Sequence, residues 1–188
     1  MKKFLILVKH SLPEVIESLP AREWRLSEQG RVLAERLAKR LTRFKPEIVV
    51  SSSEPKARET AEIIAEINQL ELHLAEELHE HDRSNVPYLS QAEFEALIRE
   101  FFQQPEILVF GKETADQAYV RFSQAMSPLL RFHSNETIVA VAHGTVISLF
   151  VSRLKGISGP LLWKELGLPS FLVIDRQSNA LIARESNI

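Results

Sequence analysis

Three short stretches of this sequence carry side chains suited to handling a phosphoryl group. Lys9-His10-Ser11 follows the apolar run at 4–8. Ser51-Ser52-Ser53 follows Ile48-Val49-Val50, with Lys56 one helical turn further on. His143-Gly144 follows the apolar run at 137–142. Together they offer two imidazoles, two ammonium groups and several hydroxyls. An imidazole can act as a nucleophile, and fixed cations can hold charged oxygens during group transfer. Taken singly, each has an ordinary explanation: a histidine after a strand is commonly structural, and Lys56 alone would be a solvated helix residue. Their shared position, just past an apolar run, is what gives them weight. The chain has no cysteine, which removes disulfides, thiolate zinc sites and cysteine-nucleophile chemistry. That absence fits a reducing compartment, and the expected location is cytoplasmic.

The elements that must position these residues alternate in type. Residues 4–8 form a continuous apolar run, the pattern of a strand buried on both faces. From 27 to 44 the period changes, with Leu33, Leu37 and Leu41 four residues apart, so an amphipathic helix is expected with Ser27 as its N-cap. A second strand at 48–50 leads into a helix with Ser53 as the expected cap, Pro55 in its first turn, and Ala57, Ala61 and Ile64 inward. Residues 72–74 suggest a third strand and 76–90 a loop. Helices are expected at 91–102, with Phe94, Leu97, Ile98 and Phe101 on one face, and at 114–132, with Ala118, Phe122, Ala125 and Leu129 inward. A strand at 137–142 precedes a helix running to about Lys155. Two strands, 171–174 and 180–183, flank a turn at 176–179. The alternation predicts an α/β three-layer sandwich with a mostly parallel central sheet. In such folds ligands bind beyond the carboxyl ends of the strands, where the following helices present free N–H groups to anions.

Bulk properties narrow the function classes. A net charge of -2 and a pI near 6.3 give no basic stripe for nucleic acid, although a local basic pocket remains allowed. The apolar run after Met1-Lys2-Lys3 is too short for a signal peptide and lacks a small-residue cleavage site; no stretch is long enough to cross a bilayer. A length of 188 residues suits one domain, with 76–112 as a candidate cap or insert over the site.

Six motifs, in order, resemble those of the histidine phosphatase (phosphoglycerate mutase-like) superfamily. Lys9-His10-Ser11 resembles its Arg-His-Gly signature, and Leu26-Ser27-Glu28-Gln29-Gly30 its Leu-Thr-x-x-Gly segment. The serines at 51 and 52, with Lys56-Ala57-Arg58-Glu59-Thr60-Ala61, resemble its serine run followed by Arg-Ala-x-Gln-Thr-Ala. Leu78-His79-Glu80 is similar to its Leu-x-Glu, Gly111-Lys112-Glu113 with Arg121 to its Gly-Glu-Ser…Arg stretch, and Val141-Ala142-His143-Gly144 to its second histidine motif.

The resemblance implies a phosphatase for a small phosphomonoester that needs neither metal nor cofactor. In that reading His10 attacks phosphorus to form a phosphohistidine. Lys9, Lys56, Ser11, Gly144 and His143 hold the phosphoryl oxygens. Glu80 protonates the leaving oxygen, for which its pKa should be raised in the loaded site, and then activates water. Three positions depart from the family pattern: Lys9 and Lys56 stand where it has arginines, and Ser11 where it has glycine. Lysine keeps the charge but loses the planar fork that grips two oxygens at once. Arg58 and Arg22 are the candidates considered for supplying that fork. Ser11 would either add a hydroxyl donor or narrow the pocket. These departures support an alternative, a weakly active or inactive phosphoryl-ligand-binding or regulatory protein on the same fold. A phosphohistidine phosphatase acting on proteins is a third reading, against which 78–110 would roof the pocket. Beyond a small phosphorylated substrate the sequence names no partner, and it does not specify an oligomeric state.

The remaining histidines point to ordinary roles. His73 and His133 read as strand or surface residues, and His79 and His81 as flanking Glu80 at the mouth or on the surface. Trp24 is expected to pack the loop between the first strand and the first helix.

Overall fold

The computed structural model describes residues 2–186 and 188. Six strands form one sheet: β1 (Phe4–Lys9), β2 (Ile48–Ser51), β3 (Leu72–Leu74), β4 (Ile138–Ala142), β5 (Ser170–Asp175) and β6 (Leu181–Glu185). Their order is β3-β2-β4-β1-β5-β6. The first four run parallel, β5 adds antiparallel to β1, and β6 pairs antiparallel with β5. The helices are α1 (Glu28–Leu41), α2 (Pro55–Asn68), α3 (Gln91–Gln103), α4 (Ala115–Phe132), α5 (Gly144–Lys155) and α6 (Gly159–Glu165).

The uninterrupted apolar strands arise because both faces of the sheet are covered. Ile6, Val8, Val49, Val139, Val141, Phe171 and Val173 meet Leu37 and Leu41 of α1 and Ala57, Ala61 and Ile64 of α2. Leu5, Leu7, Val50, Ile138, Ala140 and Leu172 meet the opposite layer, with Ile98 and Phe101 of α3, Phe122 and Met126 of α4, and Val146 and Leu149 of α5. Successive side chains of each strand therefore serve different layers. The expected three-layer α/β arrangement is what the chain forms. In α4 the fully buried residues are Ala115, Ala118, Phe122 and Met126, while Ala125 and Leu129 are only partly covered.

Two local expectations need correction. The N-cap of α2 is Glu54, not Ser53, and no side-chain hydroxyl caps that helix; Ser52 Oγ instead accepts from the Glu54 amide at 3.3 Å. Helix α6 has no counterpart in the sequence reading. Its seven residues bury chiefly Leu162, too short a run for a periodic signal.

Ser27 does cap α1, its hydroxyl accepting from the Gly30 amide at 3.0 Å. Gly30 has a further constraint. A Cβ there would lie 2.0 Å from the Leu12 carbonyl oxygen, so only glycine lets the segment after His10 press against α1. Trp24 ties down that same segment as expected, donating from Nε1 to the carbonyls of Ile16 and Leu19.

Candidate active site

The sheet topology brings the two histidines together. β1 and β4 are parallel neighbours, Lys9 stands opposite Ala142, and the His10 amide donates to the Ala142 carbonyl at 3.0 Å. Both strands end at the same rim, and the imidazoles of His10 and His143 pack edge to face with centroids 5.2 Å apart. Neither has appreciable solvent exposure. Burial is the main cause that holds both well below the ordinary histidine range. For His10 the neighbouring His143 and Lys56 add to it, and for His143 the Lys56 ammonium does so while Glu80 opposes. Both are therefore neutral at neutral pH.

The His10 tautomer follows from its partner. Nδ1 lies 2.8 Å from the Ser11 carbonyl oxygen, which can only accept, so Nδ1 carries the proton. Nε2 is left with its lone pair exposed to an incoming electrophile. His143 Nε2 meets Ser52 Oγ at 2.9 Å, which gives the serine run after β2 a defined place beside the second imidazole.

Both lysines predicted for the site are there, Lys56 buried and Lys9 partly buried. Lys9 Nζ donates to the Leu166 carbonyl at 2.7 Å. Burial pushes its pKa down to about 8, against the opposing charge of Glu80. Gly144 makes room for this side chain, since a Cβ there would stand 3.1 Å from Lys9 Cε. Lys56 Nζ donates to the Ala21 carbonyl at 2.7 Å and pairs with Glu54 Oε2 at 2.5 Å. Burial lowers its pKa too, with Glu54 opposing.

Glu80 sits at the start of α5, partly buried. Its oxygens accept from the amides of Thr145 (3.2 Å) and Val146 (3.3 Å), and from that of His81 at 2.9 Å. The anion-favouring helix N-terminus foreseen for phosphate is thus held by this carboxylate. Burial raises its pKa, but Arg83, His143 and the amides of His81 and Thr145 together outweigh that, and the net direction is down. Without phosphate, then, Glu80 is a carboxylate; the raised value expected from the sequence concerned the loaded site.

Ser11 uses both of its donors inside the protein: Oγ to the Gly30 carbonyl at 2.7 Å and the amide to Thr60 Oγ1 at 3.0 Å. Its hydroxyl joins the first loop to α1 and is not free for a phosphate oxygen. Neither arginine considered as a compensating fork reaches the pocket. Arg58 is exposed and pairs with Glu62, and Arg22 is exposed beside Glu23. His81 is not at the mouth either. It is buried between the rings of Phe101 and Phe110, with centroids 4.3 and 4.7 Å away. His73 and His133 lie away from the pocket, their rings 6.3 Å from each other and each beside a glutamate.

Two pocket residues escaped the sequence reading. Glu54 pairs with Lys56 and lies 3.8 Å from His143 Nε2, while its Oε1 accepts from the Glu80 amide at 2.9 Å. Arg83, three residues after Glu80, adds a positive charge felt by Lys9, Lys56, Glu80 and His143. The only signal for either was proximity in sequence to a motif residue. The Glu113 and Arg121 motif residues do not enter the pocket. They pair with each other at 2.6 Å, and Arg121 donates to the carbonyls of Glu77 and His79 while Glu113 accepts from the Asp82 amide, so they brace the segment that carries Glu80.

Among the described residues no helix is long and apolar enough to cross a membrane. No curated protein matches the sequence. Solved structures do share the architecture. A phosphoserine phosphatase from Entamoeba histolytica superimposes with a TM-score of 0.78 at 20% identity, covering 98% of this chain and 97% of that one. A mycobacterial glucosyl-3-phosphoglycerate phosphatase gives 0.77 at 19%, covering 99% and 98%. Bacillus stearothermophilus YhfR gives 0.76 at 22%, covering 99% and 98%. At these identities the likeness establishes the fold. The family model for the histidine phosphatase superfamily (branch 1) matches residues 15–187, beginning just past the Lys9-His10-Ser11 segment. With that match over most of its length, the chain belongs to the histidine phosphatase superfamily, branch 1.

Proposed function

We propose that the protein is a phosphatase that hydrolyses a small phosphomonoester through a phosphohistidine on His10. The observation that carries this reading is the pairing of two buried, neutral imidazoles 5.2 Å apart, one of them with Nε2 free because Nδ1 donates to the Ser11 carbonyl. A neutral, oriented imidazole is a nucleophile, and a protonated one is not.

In the first step His10 Nε2 attacks phosphorus, the P–N bond forms, and the P–O bond to the leaving group breaks. Lys9 and Lys56 offset the charge on the non-bridging oxygens, the neutral His143 offers a hydrogen bond, and this positioning is most of what phosphoryl transfer requires. Glu80 gives its proton to the leaving oxygen. In the second step Glu80 takes a proton from water, which attacks phosphorus and releases His10 and inorganic phosphate. Because the unloaded Glu80 is ionised, its proton must enter with the substrate or be taken up on binding. A phosphoryl dianion beside it supplies the reason, raising its pKa as a like charge does.

Glu54 gives the second reading its support. A carboxylate already neutralises Lys56, so phosphate must compete with it, as would suit a weakly active or ligand-sensing relative.

The test is hydrolysis of an aryl phosphate without added metal, comparing wild type with His10→Ala, together with acid-labile 32P labelling of the protein. Turnover and labelling in wild type and neither in His10→Ala are expected. Turnover that survives in His10→Ala would remove the nucleophile assignment. Phosphate binding without turnover in either protein would favour the ligand-sensing reading. Candidate substrates for a following screen are phosphomonoesters of the kinds named for the structural neighbours, phosphoserine and glucosyl-3-phosphoglycerate.

A further inference from the structure

Arg83 is a cation in the pocket with a donor left open. It lies in the segment between the short turn Glu76–Leu78 and α3, and its Nη1 is buried with no hydrogen-bond partner among the described residues. Its guanidinium carbon lies 4.5 Å from the centre of the Phe94 ring, so α3 supports the group from one side. The other cations and the α5 amides around the pocket already hold protein acceptors. Lys9 Nζ holds the Leu166 carbonyl, Lys56 Nζ holds Glu54 and the Ala21 carbonyl, and the first amides of α5 hold Glu80. A buried cationic nitrogen without an acceptor is costly unless an anion completes it.

Resting on the phosphatase reading above, we propose that Arg83 binds the phosphoryl group, its planar fork supplying the two-point grip on oxygen that Lys9 and Lys56 lack. A guanidinium presents parallel N–H groups to two oxygens, whereas an ammonium acts as a point charge. The grip has moved from the strand end and from α2 to the segment that carries Glu80. Phosphate binding and placement of the acid are thereby linked, because Arg83 and Glu80 are three residues apart on one segment braced by Glu113 and Arg121. The same charge lowers the Glu80 pKa in the empty site, so a phosphoryl group that draws on Arg83 also loosens the hold on the Glu80 proton affinity.

The test compares wild type, Arg83→Met and Arg83→Lys. Methionine keeps an apolar stem against Phe94 and removes the charge; lysine keeps the charge and removes the fork. Affinity for inorganic phosphate is measured by calorimetry, aryl phosphate turnover is followed across pH, and thermal melts report the fold. Phosphate affinity is expected to fall about 10- to 100-fold in Arg83→Met, the size of a lost charge-assisted hydrogen bond. Arg83→Lys should fall between the two. The pH profile of kcat in Arg83→Met should move to higher pH as Glu80 regains proton affinity, which a merely structural role would not produce. Wild type that binds phosphate, with both variants binding it equally well, overturns the assignment of Arg83 and leaves the phosphatase reading standing. Wild type that neither binds phosphate nor turns over overturns the phosphatase reading and this assignment with it.

Discussion

His10 and His143 stand at the ends of two hydrogen-bonded strands buried on both faces, whereas Glu80 and Arg83 ride on a segment with no regular structure. The first pair inherits its geometry from the sheet. Fixing β1 against β4 fixes both imidazoles, and little else is needed. The second pair depends on side chains that are distant in sequence: Arg121 from the second turn of α4, Glu113 from the segment before that helix, and Glu54 from the N-cap of α2. The nucleophile side is therefore rigid by construction. The acid side is held by a few polar contacts that a ligand can compete for. That division suits a site whose nucleophile must be aligned beforehand and whose acid must change protonation state during the reaction.

The sharpest way to test the contrast is to break the brace and leave the sheet intact. Arg121→Ala removes a nearly buried ion pair and the hydrogen bonds to the Glu77 and His79 carbonyls. We expect kcat to fall about 100-fold, as for a misplaced catalytic group, while His10 still becomes labelled by a substrate with a good leaving group. Unfolding in urea should show a loss of up to about 3 kcal/mol. Equal losses of labelling and turnover would mean that the two sides are not separable.

Gly30→Ala probes the nucleophile side from beneath. Its Cβ must displace the Leu12 backbone, and overpacking of this kind costs about 1–3 kcal/mol. Turnover should fall with stability, because the displaced segment begins two residues after His10; an unchanged melt would show that the loop yields freely.

The alkaline side of the pH profile should belong to Lys9. Its pKa is lowered to about 8, so it is charged below that value and loses charge as pH rises through it. The kcat/KM of wild type should therefore decline above about pH 8, by up to tenfold per pH unit. Lys9→Arg should carry the plateau to higher pH, since a guanidinium does not deprotonate in this range. A decline that stays in place in Lys9→Arg would assign it to another group.

The smallest effect is expected from Glu54→Gln. Removing the carboxylate that pairs with Lys56 should tighten inorganic phosphate binding by about tenfold or less. Weaker binding instead would make Glu54 a support for the Glu80 segment, through its contact with the Glu80 amide, rather than a competitor for Lys56.

Much of this was legible in the sequence, for reasons that differ by residue. The apolar runs at 4–8, 48–50 and 137–142 identify themselves because strands buried on both faces must be apolar throughout. A histidine directly after such a run is carried to the rim by the chain itself, and Lys56 is carried there by its place in the first turn of α2. The arginine fork could not be found this way. Arg58 within a motif and Arg22 in the loop after the first motif were the natural candidates, yet each is exposed beside a glutamate, while Arg83 carried no pattern of its own. Ser11 shows the same limit in reverse: its place beside the nucleophile is plain, but the direction of its hydroxyl depends on how closely α1 approaches, and Gly30 sets that distance.

The sequence by itself determined the layered α/β arrangement, the pairing of two strand-end histidines and the absence of thiol chemistry, because hydrophobic periodicity and residue type act locally along the chain. Only the tertiary structure decided which cations face the pocket, that Glu80 rests ionised on the amides of α5, and that Glu54 holds Lys56. The physical reason is that charge and hydrogen bonding are satisfied between segments far apart in sequence, and an irregular segment has no periodicity to announce where its side chains will find their partners.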